Sequence, residues 1–274
     1  MTTLAPLFDT HCHLDYILRG SEHPDVGVAP QFKDVWGRAE AAGVCALVNP
    51  GVTPGRFSEV FAASEMHSNI FAALSVHPTD VSDISTNPEW LAELEAQLSH
   101  PKVVALGETG LDYYWDTSEK ELQQHCFEAL LKLGVKHKLP VIVHDREAHD
   151  DVKKVIASVP GSQGIMHCFS GDGKFALEMI ELGFFISFAG NITFKNAQPL
   201  RDAAKDVPIE WLLIETDSPF LSPMPFRGKP NEPERVRYVA ETLAEVKGIS
   251  YEKLARITTE NALRVYHLEN QAIC

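Results

Sequence analysis

No stretch of this 274-residue sequence approaches the ~20 consecutive apolar residues that a bilayer-spanning helix needs, so no contact with a membrane is expected. The opening residues, MTTLAPLFDT, have neither a basic start nor a long apolar run, so no secretory leader is expected either. Cysteine is scarce and scattered. Cys12, Cys45, Cys126, Cys168 and Cys274 form no CxxC pair, which indicates neither a disulfide framework nor a zinc ribbon and fits a reducing, cytoplasmic setting. Positive charge is also short. The 24 Lys and Arg against 38 Asp and Glu leave a net charge of −14, which argues against a broad basic surface that binds duplex nucleic acid nonspecifically. An anionic substrate remains compatible, because metal ions in a cleft reverse the field locally.

What is present is a regular alternation. Short apolar, β-branched runs (LFDTHCH, CALVNPG, IFAALSVHP, KVVALGE, PVIVH, GIMHCF, FFISFAG, WLLIETD) are each followed by a helical pattern, and a last helical segment, SYEKLARITTENALRVYH, closes the chain. Asn87 and Ser118 read as helix caps, and Gly43, Gly183 and Gly248 as helix stops. Eight βα units predict an α/β fold, a (β/α)8 TIM barrel occupying residues 1–274 as a single domain, with an additional C-terminal helix. The main rival, a doubly wound open sheet, usually carries a GxGxxG turn after its first strand, and none occurs here. No repeat, low-complexity segment or composition shift marks a boundary. The stretch 19–30 interrupts the pattern after the first strand, where it is either a solvated loop or a lid over the barrel mouth.

In such a barrel, catalytic groups sit at the C-terminal ends of strands. His11 and His13 end the first predicted strand, His77 the third, Glu108 the fourth, His144 the fifth, His167 the sixth and Asp217 the eighth. A single histidine there is ordinarily a hydrogen-bonded structural residue. Seven such placements are hard to attribute to chance, because burying that many unpartnered polar groups costs on the order of 1–3 kcal/mol each. A shared metal centre relieves all of them together. Side chains two apart on a strand share a face, so His11 and His13 should converge on one cation, with Cys12 turned to the helices. Asp9 shares their parity and is expected to orient a histidine or to serve structurally. Glu108 has two oxygens and could bridge two cations. His144 and His167 could hold the second, Asp217 could reach the first across the closed barrel, and Glu215 could hydrogen-bond behind them. A mixed histidine–carboxylate set suits Zn²⁺, Mn²⁺ or Mg²⁺ without choosing among them.

The stretches DTHCHLD (9–15), SVHP (75–78), ALGETGLDYY (105–114), PVIVHDREA (140–148), MHCFSGD (166–172), TFKNA (193–197), ETDSPFLSP (215–223) and RGKPNEP (227–233) together resemble the TatD-type deoxyribonucleases, metal-dependent hydrolases of the amidohydrolase superfamily. The resemblance runs from the first strand to the eighth helix. It implies a barrel with one or two divalent metal ions. His11, His13, Glu108 and Asp217 would bind the first, and Glu108, His144 and His167 the second. Glu108 stands where many superfamily relatives use a carboxylated lysine. It further implies hydrolysis of DNA phosphodiesters by attack of a metal-bound water, as a 3′→5′ exodeoxyribonuclease on single-stranded ends. Two departures, HDRE after His144 and Asn191 in GNITF, touch no proposed ligand but bear on substrate fit.

Within that frame Asp217 is expected as general base. His77, outside both ligand sets, is expected to stabilise phosphate or protonate the leaving group. Arg146 would grip a phosphate oxygen, and Lys195, Arg227 and Lys229 would add local positive charge. DNA ends or single strands are the expected partners, with no obligate protein partner evident. The alternatives are an amidohydrolase-like enzyme acting on a small amide, lactone or phosphoester, and a non-catalytic metal-binding scaffold.

Overall fold

In the computed structural model, residues 5–20, 30–115 and 119–273 are described. Ser118 and most of the 19–30 stretch fall outside them. Eight strands form one sheet in sequential order, every neighbouring pair parallel: β1 (Leu7–Asp9), β2 (Val44–Gly51), β3 (Ile70–Leu74), β4 (Val103–Asp112), β5 (Val141–Arg146), β6 (Gly164–Met166), β7 (Phe184–Phe188) and β8 (Leu212–Ile214). The sheet meets itself where the Asp217 amide donates to the His11 carbonyl (2.9 Å) and the His13 amide to the Ser218 carbonyl (2.8 Å). This is a (β/α)8 TIM barrel, as the alternation predicts.

The helices are α1 (Leu14–Arg19), α2 (Phe32–Ala41), α3 (Phe57–Glu65), α4 (Val81–Ile84), α5 (Trp90–Gln97), α6 (Lys120–His137), α7 (His149–Ser158), α8 (Gly173–Glu181), α9 (Gln198–Asp206), α10 (Val236–Lys247) and α11 (Tyr251–Val265). Helix α10 ends at Gly248 in the left-handed conformation that glycine favours. Asn87 is not the cap of α5, whose first flanking residue is Glu89; its carboxamide oxygen instead accepts from the Glu89 amide and shapes the preceding turn. No helix among the described residues is long and apolar enough to cross a membrane. Cys12, Cys126 and Cys168 are free thiols.

Strands β3 and β7 are buried along their whole length, which explains their unbroken apolar runs: in a barrel both faces are covered. Leu7, Leu47, Ile70 and Ile186 pack outward against the helices. Phe8, Val48, Phe71, Ile142, Phe185 and Leu213 fill the interior together with Val265, Tyr266 and Leu268 at the end of α11. The additional helix therefore plugs the end of the barrel where the strands begin, and Asn261 holds it there through the carbonyls of Ile209 and Leu212. The opposite end, with no such plug, carries the polar residues.

Candidate metal centre

Strand β1 breaks its own alternation. Phe8 lies inside the barrel, and Thr10 also reaches inward to the Ser187 hydroxyl (3.1 Å). The chain bends at Thr10, and His11 then points inward too, followed by Cys12 outward and His13 inward. His11 and His13 converge as their spacing predicts, with Nε2 atoms 3.2 Å apart. Asp9 falls on the wrong side of the bend for the role of orienting an imidazole. Its carboxylate accepts from the Thr216 amide (2.8 Å) and hydroxyl (2.6 Å), tying β1 to the segment after β8. Burial raises its pKa to about 8 against those hydrogen bonds.

Glu108 does not end β4, which runs four residues further. Leu106 pairs with Val141 and Thr109 with Val143, so β4 carries an extra residue there, a bulge that re-aims a side chain. Gly107 and Gly110 permit it: both have left-handed φ, and a Cβ on either would lie within 2.6 and 2.0 Å of atoms of Ile142 and His144 respectively. The Glu108 carboxylate is thereby held at the middle of the mouth. Oε2 lies 3.4 Å from His11 Nε2 and 3.7 Å from His13 Nε2. Oε1 faces His144 Nδ1 (2.7 Å), His167 Nε2 (3.0 Å) and His77 Nε2 (3.5 Å). Asp217 Oδ1 approaches His11 (3.8 Å) and His13 (3.7 Å).

Three groups of donors thus lie within ligand reach of one another: His11, His13 and Glu108; His11, His167 and Asp217; and His77, Glu108 and His144. All six predicted ligands come together. So does His77, which the sequence reading leaves outside the ligand sets. Its Nδ1 is engaged by the Thr79 hydroxyl at 2.6 Å, which turns Nε2 to the centre. Asp112 went unrecognised in the sequence. Its Oδ2 accepts from His144 Nε2 (3.0 Å), behind the face that Nδ1 turns to Glu108. It stands four residues beyond Glu108 in GETGLD, a clue only if β4 is known to continue. Glu215 does as expected and accepts from His167 Nδ1 at 2.8 Å.

The electrostatics suit a cation. Burial opposes charge on Glu108, yet the surrounding imidazoles of His167, His77, His11 and His144 outweigh it and hold the carboxyl well below its usual range. Burial likewise opposes charge on His144 and His167. Asp112 and Glu108 nevertheless raise His144 to about 9, and Glu108 with Glu215 raises His167 well above its usual value. Their protons stand where a second cation would. Burial lowers His11 and takes His13 to about 3, so both are neutral donors. Asp217 is pushed well up by burial and by Glu108 and Glu215, against the pull of His167 and His144. Two lone-pair imidazoles, their Nε2 atoms turned toward each other and toward the carboxyl groups of Glu108 and Asp217, fit a divalent ion better than a proton network.

His144 and His167 hold protons at neutral pH in the metal-free state, and each must lose one before that atom can bind a cation. Loading should therefore release protons, and affinity should climb with pH by about tenfold per unit for each proton released. Titration calorimetry in buffers of different ionisation enthalpy measures the number; zero net release would contradict the assignment. Glu215→Gln should weaken the ion held by His167 by roughly 10–100-fold while leaving the His11–His13 side occupied, read by metal analysis after graded chelation.

The centre floors an open cavity of about 680 Å³. Arg146 lines it, with its guanidinium 3.9 Å from the Tyr114 ring centroid, and so does Asn191, whose buried Oδ1 has no partner among the described residues. Lys195, Arg227 and Lys229 are exposed, and none of them lines the cavity. Asn231 bonds to the Pro219 and Phe220 carbonyls and folds the 219–231 loop back on itself, while Arg227 is spent over the Phe194 ring.

Residues 8–267 match the family model described as TatD related DNase. An uncharacterized metal-dependent hydrolase of Bacillus subtilis, YabD, is 41% identical over 265 residues, 96% of this chain and 99% of that one. YcfH of Escherichia coli, of the same description, is 40% identical over 265 residues and 96% of each chain. The crystal structure of YjjV, a TatD homologue of Escherichia coli, superposes with a TM-score of 0.84 at 31% identity, covering 96% of this chain and 98% of that one. A mutant PTE-like lactonase of Deinococcus radiodurans, at 15% identity and a TM-score of 0.59 over 96% of each chain, shares the fold alone. From its barrel, its ring of histidines about Glu108 and this match along nearly its whole length, the chain belongs to the TatD-related DNase family of metal-dependent hydrolases.

Proposed function

We propose that this chain is a metal-dependent phosphodiesterase that removes nucleotides from single-stranded DNA ends, in the 3′→5′ direction. One observation carries the reading: the two oxygens of Glu108 face two separate donor groups, His11 and His13 on one side and His144, His167 and His77 on the other. Such a carboxylate suits a pair of divalent ions, one held by His11, His13, Glu108 and Asp217 and the other by Glu108, His144 and His167. When bound, such ions supply Lewis acidity at the phosphoryl oxygens and bring the pKa of water toward neutrality.

The chain's own residues do the rest. Asp217 Oδ1, beside His11 and His13, accepts the proton of the attacking water. Water oxygen bonds to phosphorus as the bond from phosphorus to the leaving sugar oxygen breaks. His77, its Nδ1 fixed by Thr79 and its Nε2 at the mouth, supplies the proton that the departing hydroxyl needs. Arg146, its plane set by Tyr114, presents N–H groups to a phosphate oxygen. The products are a nucleoside monophosphate and a shortened strand. The net charge of −14 fits capture of an end at this local centre rather than along a duplex.

The test is release of mononucleotides from a single-stranded oligonucleotide labelled at either end, with Mg²⁺, Mn²⁺ or Zn²⁺, beside a panel of amides and lactones. Release progressing from the 3′ end supports the reading. Turnover of a lactone or amide with intact oligonucleotide would move the same centre to the amidohydrolase alternative. Turnover of nothing would favour a scaffold.

A further inference from the structure

Large aromatic side chains are exposed at the cavity mouth with no core to cover them. Of the six large apolar residues exposed among the described residues, three are here: Tyr114 (50%), Trp115 (53%) and Phe220 (46%). They form two shelves. On one, Tyr114 and Trp115 meet edge to face with centroids 4.9 Å apart, and the Arg146 guanidinium lies 3.9 Å from the first ring and 5.6 Å from the second. On the other, Phe220 stands edge-on to Tyr16 (6.5 Å) and to His13 (6.0 Å), and Arg19 lies 4.4 Å from the Tyr16 ring.

The topology sets these shelves apart. The first stands on the ends of β4 and β5, the second on the segments after β1 and β8. In a barrel whose strands run in sequential order, the β4–β5 pair lies across the mouth from the β8–β1 junction. Glu108 and its histidines lie between, and Trp115, Arg146, Tyr16 and Phe220 all line the one cavity. The first shelf is also anchored to the centre. Asp112 accepts from the Tyr114 and Trp115 amides through Oδ1 (3.0 and 2.9 Å) while its Oδ2 holds His144.

A phosphodiester has a nucleoside on each side. We propose that the two shelves are base-stacking subsites for those two nucleosides, Trp115 taking one unpaired base and Phe220 the other. This rests on the phosphodiesterase reading above and gives it a substrate determinant. Aromatic faces beside arginine bind bases without regard to their identity, and a base is free to stack only where the strand is single. The subsites select unpaired polynucleotide over duplex and over phosphoesters that lack bases.

The probe is a short thymine oligonucleotide with phosphorothioate linkages that resist cleavage, bound to the metal-loaded protein and followed by fluorescence anisotropy. Two further probes replace the terminal or the penultimate base with an abasic tetrahydrofuran. The wild type should prefer the complete oligonucleotide over each abasic one by roughly 5–100-fold. Trp115→Ala should abolish the preference at one position and keep it at the other; Phe220→Ala should do the reverse, and Trp115→Phe should restore what Trp115→Ala loses. Equal affinity of the wild type for all three probes, no binding of any, or variants that keep both preferences, would overturn the proposal. Base-dependent binding with no cleavage of the ordinary oligonucleotide would sink the phosphodiesterase reading and leave the stacking subsites standing. Cleavage without base preference would do the opposite.

Discussion

Glu108→Gln is expected to reduce bound metal from two ions to at most one and to cut hydrolysis by more than the roughly 10–100-fold that loss of an outer hydrogen-bond partner costs. The amide keeps the shape of the side chain, and Gly107 and Gly110 keep the bulge that aims it, so the variant changes little but charge. What it removes is the one anion on which five imidazoles converge. Without it, His144 and His167 each keep a single carboxylate partner, Asp112 and Glu215 respectively. The imidazole protons that balance Glu108 in the metal-free state become harder to hold, and neither group can share an oxygen with the other. Metal analysis by plasma emission, with kcat on a single-stranded oligonucleotide, checks both parts. Full occupancy with near-normal turnover would show that the two groups act independently of Glu108.

Asp217→Asn should lower kcat by about 10²–10⁴-fold while the barrel stays folded. The choice of asparagine matters. Asp217 has φ of 54°, in the left-handed region where asparagine is tolerated and most side chains are strained. Its amide donates to the His11 carbonyl, one of the bonds that joins the two ends of the sheet, and that bond survives the substitution. Asp217→Ala would confound loss of the base with backbone strain at the seam. Circular dichroism separates folding from chemistry, and single-turnover kinetics reads the chemical step. Near-normal turnover of a folded Asp217→Asn protein would remove Asp217 from the role of base.

The barrel was legible because its period is simple: apolar runs covered on both faces alternate with amphipathic helices. The ligand set was legible because polar residues at strand ends stand out against those runs. What escaped was local geometry that breaks the period. The bend at Thr10 shifts the phase of β1, so counting by two from His11 put Asp9 on the wrong face. The bulge at Glu108 lets β4 continue to Asp112, so a residue bonded to His144 lies beyond the apolar run that marks the strand. His77 follows β3 by three residues, and only the turn set by Thr79 brings its Nε2 back to the centre. The sign of charge alone places Lys195, Arg227 and Lys229 near a phosphate, and sign does not reveal that none of the three side chains lines the cavity. The aromatic shelves depend on which strand ends face each other across the mouth, a property of the closed sheet and not of any one segment.

The claim on which the rest depends is that Glu108 joins two cation sites. Anomalous diffraction from crystals loaded with Mn²⁺ or Zn²⁺ tests it most directly. Two peaks are predicted, one on the Oε2 side within ligand distance of His11, His13 and Asp217, the other on the Oε1 side within ligand distance of His144 and His167. Peaks away from Glu108, or none among these residues at saturating metal, would contradict the account.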